Sequence, residues 1–495
     1  MKKSFLSLRR KAYALMPIAA GVMLLASCAQ DGFDDDERWQ SDVKNTTLQS
    51  PTADNITIEA STDGSQTIIT WPVVYGAGGY ICSVYDVSNP DAPVAVDAVA
   101  DSLVDGTRLV VTRAEDTNYQ FSITTAGNEE LNNKTAEAAT VVDFTTFTAT
   151  YGKIPAGSDL AVWFANNPID PAAEGELCFD LEAGAEYTMS GDVSFGNKQV
   201  TLRTTSKSNP AKVTLTADAS LVPANGFVLK YINFDCSGST KPLIAMSETP
   251  DESMVGATGT GDYYNIMQPI TINTCNISNL RSNLYTDSGK KYCASTFLVT
   301  NSVVHFYIDG VVDVDKDALI NAYGGHINNF TAQNSTFYNA KINDTDPEPV
   351  AINYFLRYNN SGRCDRAGYS ADYVTFRNCT FYNFGCDQFC NYSGLAGRNT
   401  SNFNIVNNIF ASCGENVARR IVAGRVGSAI ATFSNNTYMN ADGTFQSTEG
   451  SCAGYDDSGT AIEEDPGFAD PMKGDFSISG SKQASLGTGD PRWLE

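Results

Sequence analysis

The chain has 495 residues, with 33 Lys and Arg against 57 Asp and Glu, for a formal net charge of −24. So acidic a protein is a poor non-specific binder of nucleic acid, which needs a basic surface to displace counterions. The length has room for two or three domains, and the abundance of Gly, Thr, Ser, Asn, Tyr and Phe without long amphipathic helical patterns gives an all-β class.

The first element is a processing signal. A basic stretch, Met1 to Lys11, precedes an apolar run, Ala12 to Ala26, that is too short to span a bilayer comfortably. Residues 1–27 are therefore expected to be a signal peptide. Leu25-Ala26-Ser27-Cys28 resembles the lipobox of bacterial lipoproteins, which implies a lipid on Cys28 and cleavage just before it. Each buried methylene of such a lipid adds roughly 0.8 kcal/mol of membrane affinity. Cleavage removes Lys2, Lys3, Arg9, Arg10 and Lys11 and no acid, which moves the formal charge from −24 to −29.

Residues 28–49 follow as an acidic flexible tether carrying Asp31, Asp34, Asp35, Asp36 and Glu37. This N-terminus resembles that of Bacteroides-type surface lipoproteins, in which such a stretch directs export to the outer leaflet. The resemblance implies a protein lipid-anchored in the outer membrane and facing the cell exterior. A periplasm-facing anchor is the runner-up.

Residues 50–147 read as a sandwich. Thr67-Ile-Ile-Thr-Trp71 alternates as a strand ending on a core Trp, Gly79 to Tyr85 is the next strand, and Asn118 to Thr124 places Tyr119 as a corner tyrosine. Val141 to Phe147 closes the unit. The segment resembles a fibronectin type III domain, an immunoglobulin-like fold that serves as a spacer or interaction platform. Residues 148–170 are read as a linker.

From residue 171 to 495 an irregular repeat takes over. It is anchored on Thr274-Cys-Asn-Ile277, Asn301-Ser-Val-Val304, Asn334-Ser-Thr-Phe337, Asn378-Cys-Thr-Phe381, Asn407-Asn-Ile-Phe410 and Asn435-Asn-Thr-Tyr438. Stacked coils would align Phe381, Phe410 and Tyr438 as one interior stripe. Asn301, Asn334, Asn378, Asn407 and Asn435 would recur at one turn, since Asn tolerates left-handed backbone and can bond to its neighbour in the stack. Together with the coil-like stretches Leu181 to Tyr187, Val200 to Arg203 and Val213 to Thr216, this part resembles the right-handed parallel β-helix of the pectate-lyase-like superfamily. Asp465 to Trp493 looks like its closing segment.

Charge reverses locally within the repeat. From Arg357 to Arg425 eight arginines (357, 363, 366, 377, 398, 419, 420, 425) and no lysine face only Asp365, Asp372, Asp387 and Glu415. The planar fork of Arg grips carboxylate or sulfate through paired hydrogen bonds. Gly362-Arg363, Gly397-Arg398 and Gly424-Arg425 each precede the next Asn position, so these three are the candidate carboxylate clamps on neighbouring coils, about 5 Å apart. Arg357, Arg377 and Arg420 are candidate strand-borne support, and Tyr358 and Tyr392 candidate sugar-stacking rings. The competing reading pairs the arginines with the four acids and with turn carbonyls.

Catalytic signals are weaker. Lyases of the resembled superfamily use Arg or Lys with calcium, but an Arg-x-Pro-x-x-Arg signature is absent, and Arg420 or Arg425 is the only base to suggest. The calcium-like cluster Asp313-Val-Asp315-Lys-Asp317 lacks the glycine and distal Glu of an EF-hand. No cofactor other than Ca2+ is suggested. Gly324-Gly325-His326 lacks an Asp–Asp partner in the sequence, so His326 is read as a turn residue. With His305 and His326 the only histidines, a zinc site at Cys386, Cys390, Cys364 or Cys413 is disfavoured, while Cys275 and Cys379 are expected to be small core residues and disulfide pairing stays open.

The sequence thus points to a surface lipoprotein that binds an acidic, pectin-like polysaccharide for a glycan-utilisation system, in company with an outer-membrane transporter. It leans away from an enzyme. The alternatives are a polysaccharide lyase on the same scaffold and a structural or adhesive surface protein.

Overall fold

A computed structural model describes residues 43–62, 64–255, 263–309, 318–358, 370–386, 388–391, 401–422, 430–448 and 455–494. The chain divides into two compact units, the change falling between Thr146 and Phe147. Almost every element is a strand.

The N-terminal unit is an immunoglobulin-like sandwich of two antiparallel sheets. One has the order Thr57–Ala60, Gln66–Thr70, Arg108–Thr112; the other runs Val94–Ala95, Tyr80–Asp86, Asn118–Thr125, Thr140–Thr145, with Ser102–Val104 also on Tyr80–Asp86. Alternation decides which side chains turn inward. In Asn118–Thr125 every second residue is buried, which sends Tyr119, Phe121 and Ile123 into the core. Trp71 stacks on Phe121 at 5.8 Å and meets Tyr80 edge-on at 5.4 Å. The Tyr119 hydroxyl accepts the Ala114 N–H at 2.8 Å, the bond expected of a corner tyrosine. The sandwich begins before residue 50, since Thr47 bridges Lys134 and Leu48 is buried.

The second unit is a parallel β-helix. Each coil contributes a strand to each of three parallel sheets. The first sheet includes Glu176–Leu181, Tyr292–Thr300, His326–Gln333, Asp372–Arg377, Ser401–Val406 and Ile430–Ser434; the second includes Val303–Phe306, Thr336–Asn339, Thr380–Tyr382, Ile409–Ala411 and Thr437–Met439; the third includes Tyr285–Thr286, Ala318–Ala322, Tyr354–Tyr358 and Cys390–Asn391. Where the next third-sheet strand would fall, the chain forms the short helix Val417–Ile421 instead.

The Asn positions lie at the corner between first and second sheets. Thr274, Asn301, Asn334, Asn378, Asn407 and Asn435 all have φ between 49 and 56°, in the left-handed region. Asn334 donates its amide to Asn301 at 3.1 Å and Asn435 to Asn407 at 3.2 Å, while Asn378 bonds instead to the Gly487 carbonyl at 2.7 Å. Inside the coils Phe337, Phe381, Phe410 and Tyr438 stack nearly parallel, with centroids 5.3, 4.9 and 5.5 Å apart. Cys275 and Cys379 are buried beside that corner.

The segment 148–170 is not a linker. Thr150–Ile154 pairs in parallel with Glu176–Leu181, and the helix Leu160–Asn166, capped by the Asp159 carboxylate on the Val162 N–H, buries Leu160 and Phe164 against the first coil. The end of a solenoid leaves an apolar cross-section that water cannot cover, and a seven-residue helix closes it. At the other end Asp490 accepts from the Thr336 hydroxyl at 2.8 Å and from Arg492 at 2.8 Å, fastening the tail to the second sheet.

Candidate functional site

The corner between the third and first sheets collects the unusual residues. Gly324 and Gly325 make that turn because a Cβ on Gly325 would collide with the Tyr292 carbonyl of the preceding coil. The Gly325 N–H bonds to Asp287 at 2.7 Å, and the chain enters the first sheet at His326.

His326 is a strand residue, not the turn residue expected. Its Nε2 lies 2.8 Å from Asp372, and both side chains are sealed from solvent, at 0% and 1% exposure. Asn328 donates to the same carboxylate oxygen at 3.2 Å, and the Tyr358 ring meets the imidazole edge-on at 5.2 Å. His326 Nδ1 and the second oxygen of Asp372 have no hydrogen-bond partner among the described residues. From inside the coils the pair cannot touch a polymer. No local pattern announces the pair, because the partner lies 46 residues downstream on the neighbouring strand.

His305 is also excluded as a base. Its Nδ1 accepts the Asn279 N–H at 3.2 Å and its Nε2 faces the Ala340 carbonyl at 2.9 Å, while burial lowers its proton affinity.

The arginines divide. Arg357, on the third sheet, lies over the Tyr323 ring at 4.3 Å and near Tyr354 at 5.4 Å. Arg377 is exposed at the far end of a first-sheet strand, next to the Asn corner, so it does not share a row with Arg357. Arg420 sits on the helix Val417–Ile421 and so is not strand-borne; its Nε is buried with no partner among the described residues. Tyr358 is 1% exposed and cannot stack on a sugar, because its strand turns the ring against His326. Arg363, Arg398, Arg425, Tyr392, the Asp313, Asp315, Asp317 cluster and Cys28 lie outside the described residues.

Chain order nevertheless relates the three Gly-Arg pairs. Arg363 falls between Tyr354–Tyr358 and Asp372–Arg377, Arg398 between Cys390–Asn391 and Ser401–Val406, and Arg425 between Val417–Ile421 and Ile430–Ser434. Each follows a third-face element and precedes a first-sheet strand. A cleft of about 590 Å³ lies at a different place, lined by Glu415, Asn416, Asp442 and Gln446, and its carboxylates would repel a polyanion.

Three families match parts of the chain, each described as a domain of unknown function: DUF4992 over residues 1–186, DUF4957 over 185–340 and DUF5123 over 374–493. No curated protein matches. Among solved structures, the PL6 family alginate lyase AlyGC is 14% identical with a TM-score of 0.28, covering 59% of this chain and 41% of its own. The chain thus spans about two-fifths of that lyase. Pectate lyase PelI from Erwinia chrysanthemi is 11% identical with a TM-score of 0.14, covering 60% of this chain and 88% of its own. The fold is established by the strand register.

Proposed function

We propose that the protein is a surface lipoprotein, anchored through Cys28, that holds an acidic polysaccharide of the pectin or polyuronate type for a glycan-utilisation system. The observation that carries this reading is the third-to-first corner. Arg357 stands there beside Tyr323 and Tyr354, and in the sequence Arg363, Arg398 and Arg425 each fall between a third-face element and the next first-sheet strand. Guanidinium forks repeated at the coil spacing of roughly 5 Å suit a polymer bearing a carboxylate on each ring.

Gel migration of the mature protein in polygalacturonate tests this. Retardation is expected, with loss on changing Arg363, Arg398 and Arg425 together to Ala. Absence of binding to every acidic glycan in a broad array would defeat the reading. Ultraviolet absorbance from unsaturated sugar ends, measured in the same incubation, separates a binder from a lyase on this scaffold.

A further inference from the structure

The same corner continues toward the N-terminus in residues that the arginine reading does not use. The preceding coil turns through Ser288, Gly289, Lys290 and Lys291 before Tyr292 enters the first sheet. Gly324 packs directly on that turn: a Cβ there would collide with the carbonyl groups of Gly289 and Lys290. Lys290 and Lys291 therefore sit one coil below Tyr323 and Gly324, and Arg357, in register with Asn321, lies one coil above. Successive coils at one corner thus carry two lysines, a tyrosine and an arginine, spread over about 10 Å.

The lysines make no ion pair among the described residues, and Lys291 is exposed. The nearest acid of the turn, Asp287, is fully buried, with its oxygens on the Gly289 N–H at 3.0 Å and the Gly325 N–H at 2.7 Å. Glu252, on the neighbouring insertion, accepts from the Tyr264 hydroxyl at 3.2 Å. Tyr323 is 38% exposed, and the Arg357 guanidinium lies over its ring at 4.3 Å.

We propose that Lys290, Lys291, Tyr323 and Arg357 form a discrete subsite for a uronate-bearing stretch of polymer, with Tyr323 as the stacking ring and the two lysines engaging carboxylates. This rests on the polyuronate reading above. The subsite separates two recognition chemistries: ring stacking is indifferent to charge, while the ammonium groups require ionised carboxyls.

The test uses the whole mature protein with polygalacturonate and with the same polymer after methyl esterification, which removes the charges and keeps the rings. The double variant Lys290→Ala, Lys291→Ala is expected to bind polygalacturonate about tenfold more weakly and the ester unchanged. Tyr323→Ala should weaken both polymers by about threefold or more, whereas Tyr323→Phe, which keeps the ring, should bind like the parent. If the parent binds polygalacturonate and the lysine variant binds it equally well, or loses both polymers alike, the subsite is overturned and the polyuronate reading stands. If the parent binds no polygalacturonate, both fall.

Discussion

At the scale of single residues, the His326–Asp372 pair is held at 2.8 Å with both side chains sealed from solvent. Removing one member leaves the other without its partner in a place water does not reach, which costs about 3 kcal/mol or more. His326→Leu and Asp372→Ala should each lower the denaturant midpoint clearly, while His326→Leu combined with Asp372→Leu should recover part of the loss, since two apolar groups leave nothing unpaired. A double variant no more stable than the single ones would argue against the pair. Asp490 gives a pH prediction. Burial raises its carboxyl above the usual range, against the opposing pull of Arg492 and Thr336. The folded state therefore binds that proton more tightly than the unfolded chain, so this contribution to stability is full below the ordinary carboxylate value of about 3.9 and is lost as pH rises through the raised one. Amide exchange of the tail over that window should quicken with pH beyond its intrinsic rise, and Asp490→Asn should abolish the excess. Cys28 is tested more simply: Cys28→Ala should remove lipid labelling and release the protein from membranes, and persistent membrane attachment would count against the anchor.

At the scale of the element, the repeated corner was legible because its chemistry is local. A left-handed residue is needed between first and second sheets, and Asn tolerates that backbone better than most side chains. Tyr231, with φ of 60°, occupies the same corner in an earlier coil without the small polar pair that marks the later ones. The Ser302, Ser335, Cys379, Asn408 and Asn436 positions form a second, buried set of bonds: Ser335 Oγ accepts the Ser302 N–H at 3.1 Å, and Asn436 accepts from Asn408 at 3.0 Å. Asn334→Val should cost about 2 kcal/mol or more, combining left-handed strain with the lost ladder bond, while Asn334→Gly should cost about half as much, losing only the bond. Equal losses in chemical denaturation would show that backbone conformation is not what selects Asn there. The helix Leu160–Asn166 is not legible for the opposite reason: with seven residues and two buried, it carries too little periodicity.

At the scale of the molecule, charge distribution sets the expected behaviour. A chain of net charge −24 repels a polyanion at long range, whereas arginine forks and lysines attract it at contact. The Debye length falls from about 30 Å at 0.01 M salt to about 10 Å at 0.1 M and 3 Å at 1 M. Polyuronate affinity should therefore rise to a maximum near about 0.1 M, where the distant repulsion is screened, and fall again toward 1 M. A steady decline from the lowest salt would mean that the global charge has no part in recognition.

The sequence by itself determined the all-β class, the sandwich followed by a parallel β-helix, the aromatic stripe and the Asn corner, because each is written as a short-range or periodic pattern. Only the tertiary structure decided that His326 meets Asp372, that Tyr358 turns inward, that Arg377 stands apart from Arg357, and that Tyr323 shares a corner with Lys290 and Lys291. Those relations are set by which coil lies above which. Insertions make the spacing between coils uneven, 27 residues in one place and 44 in another between successive anchors, so strand register, not distance along the chain, fixes the neighbours.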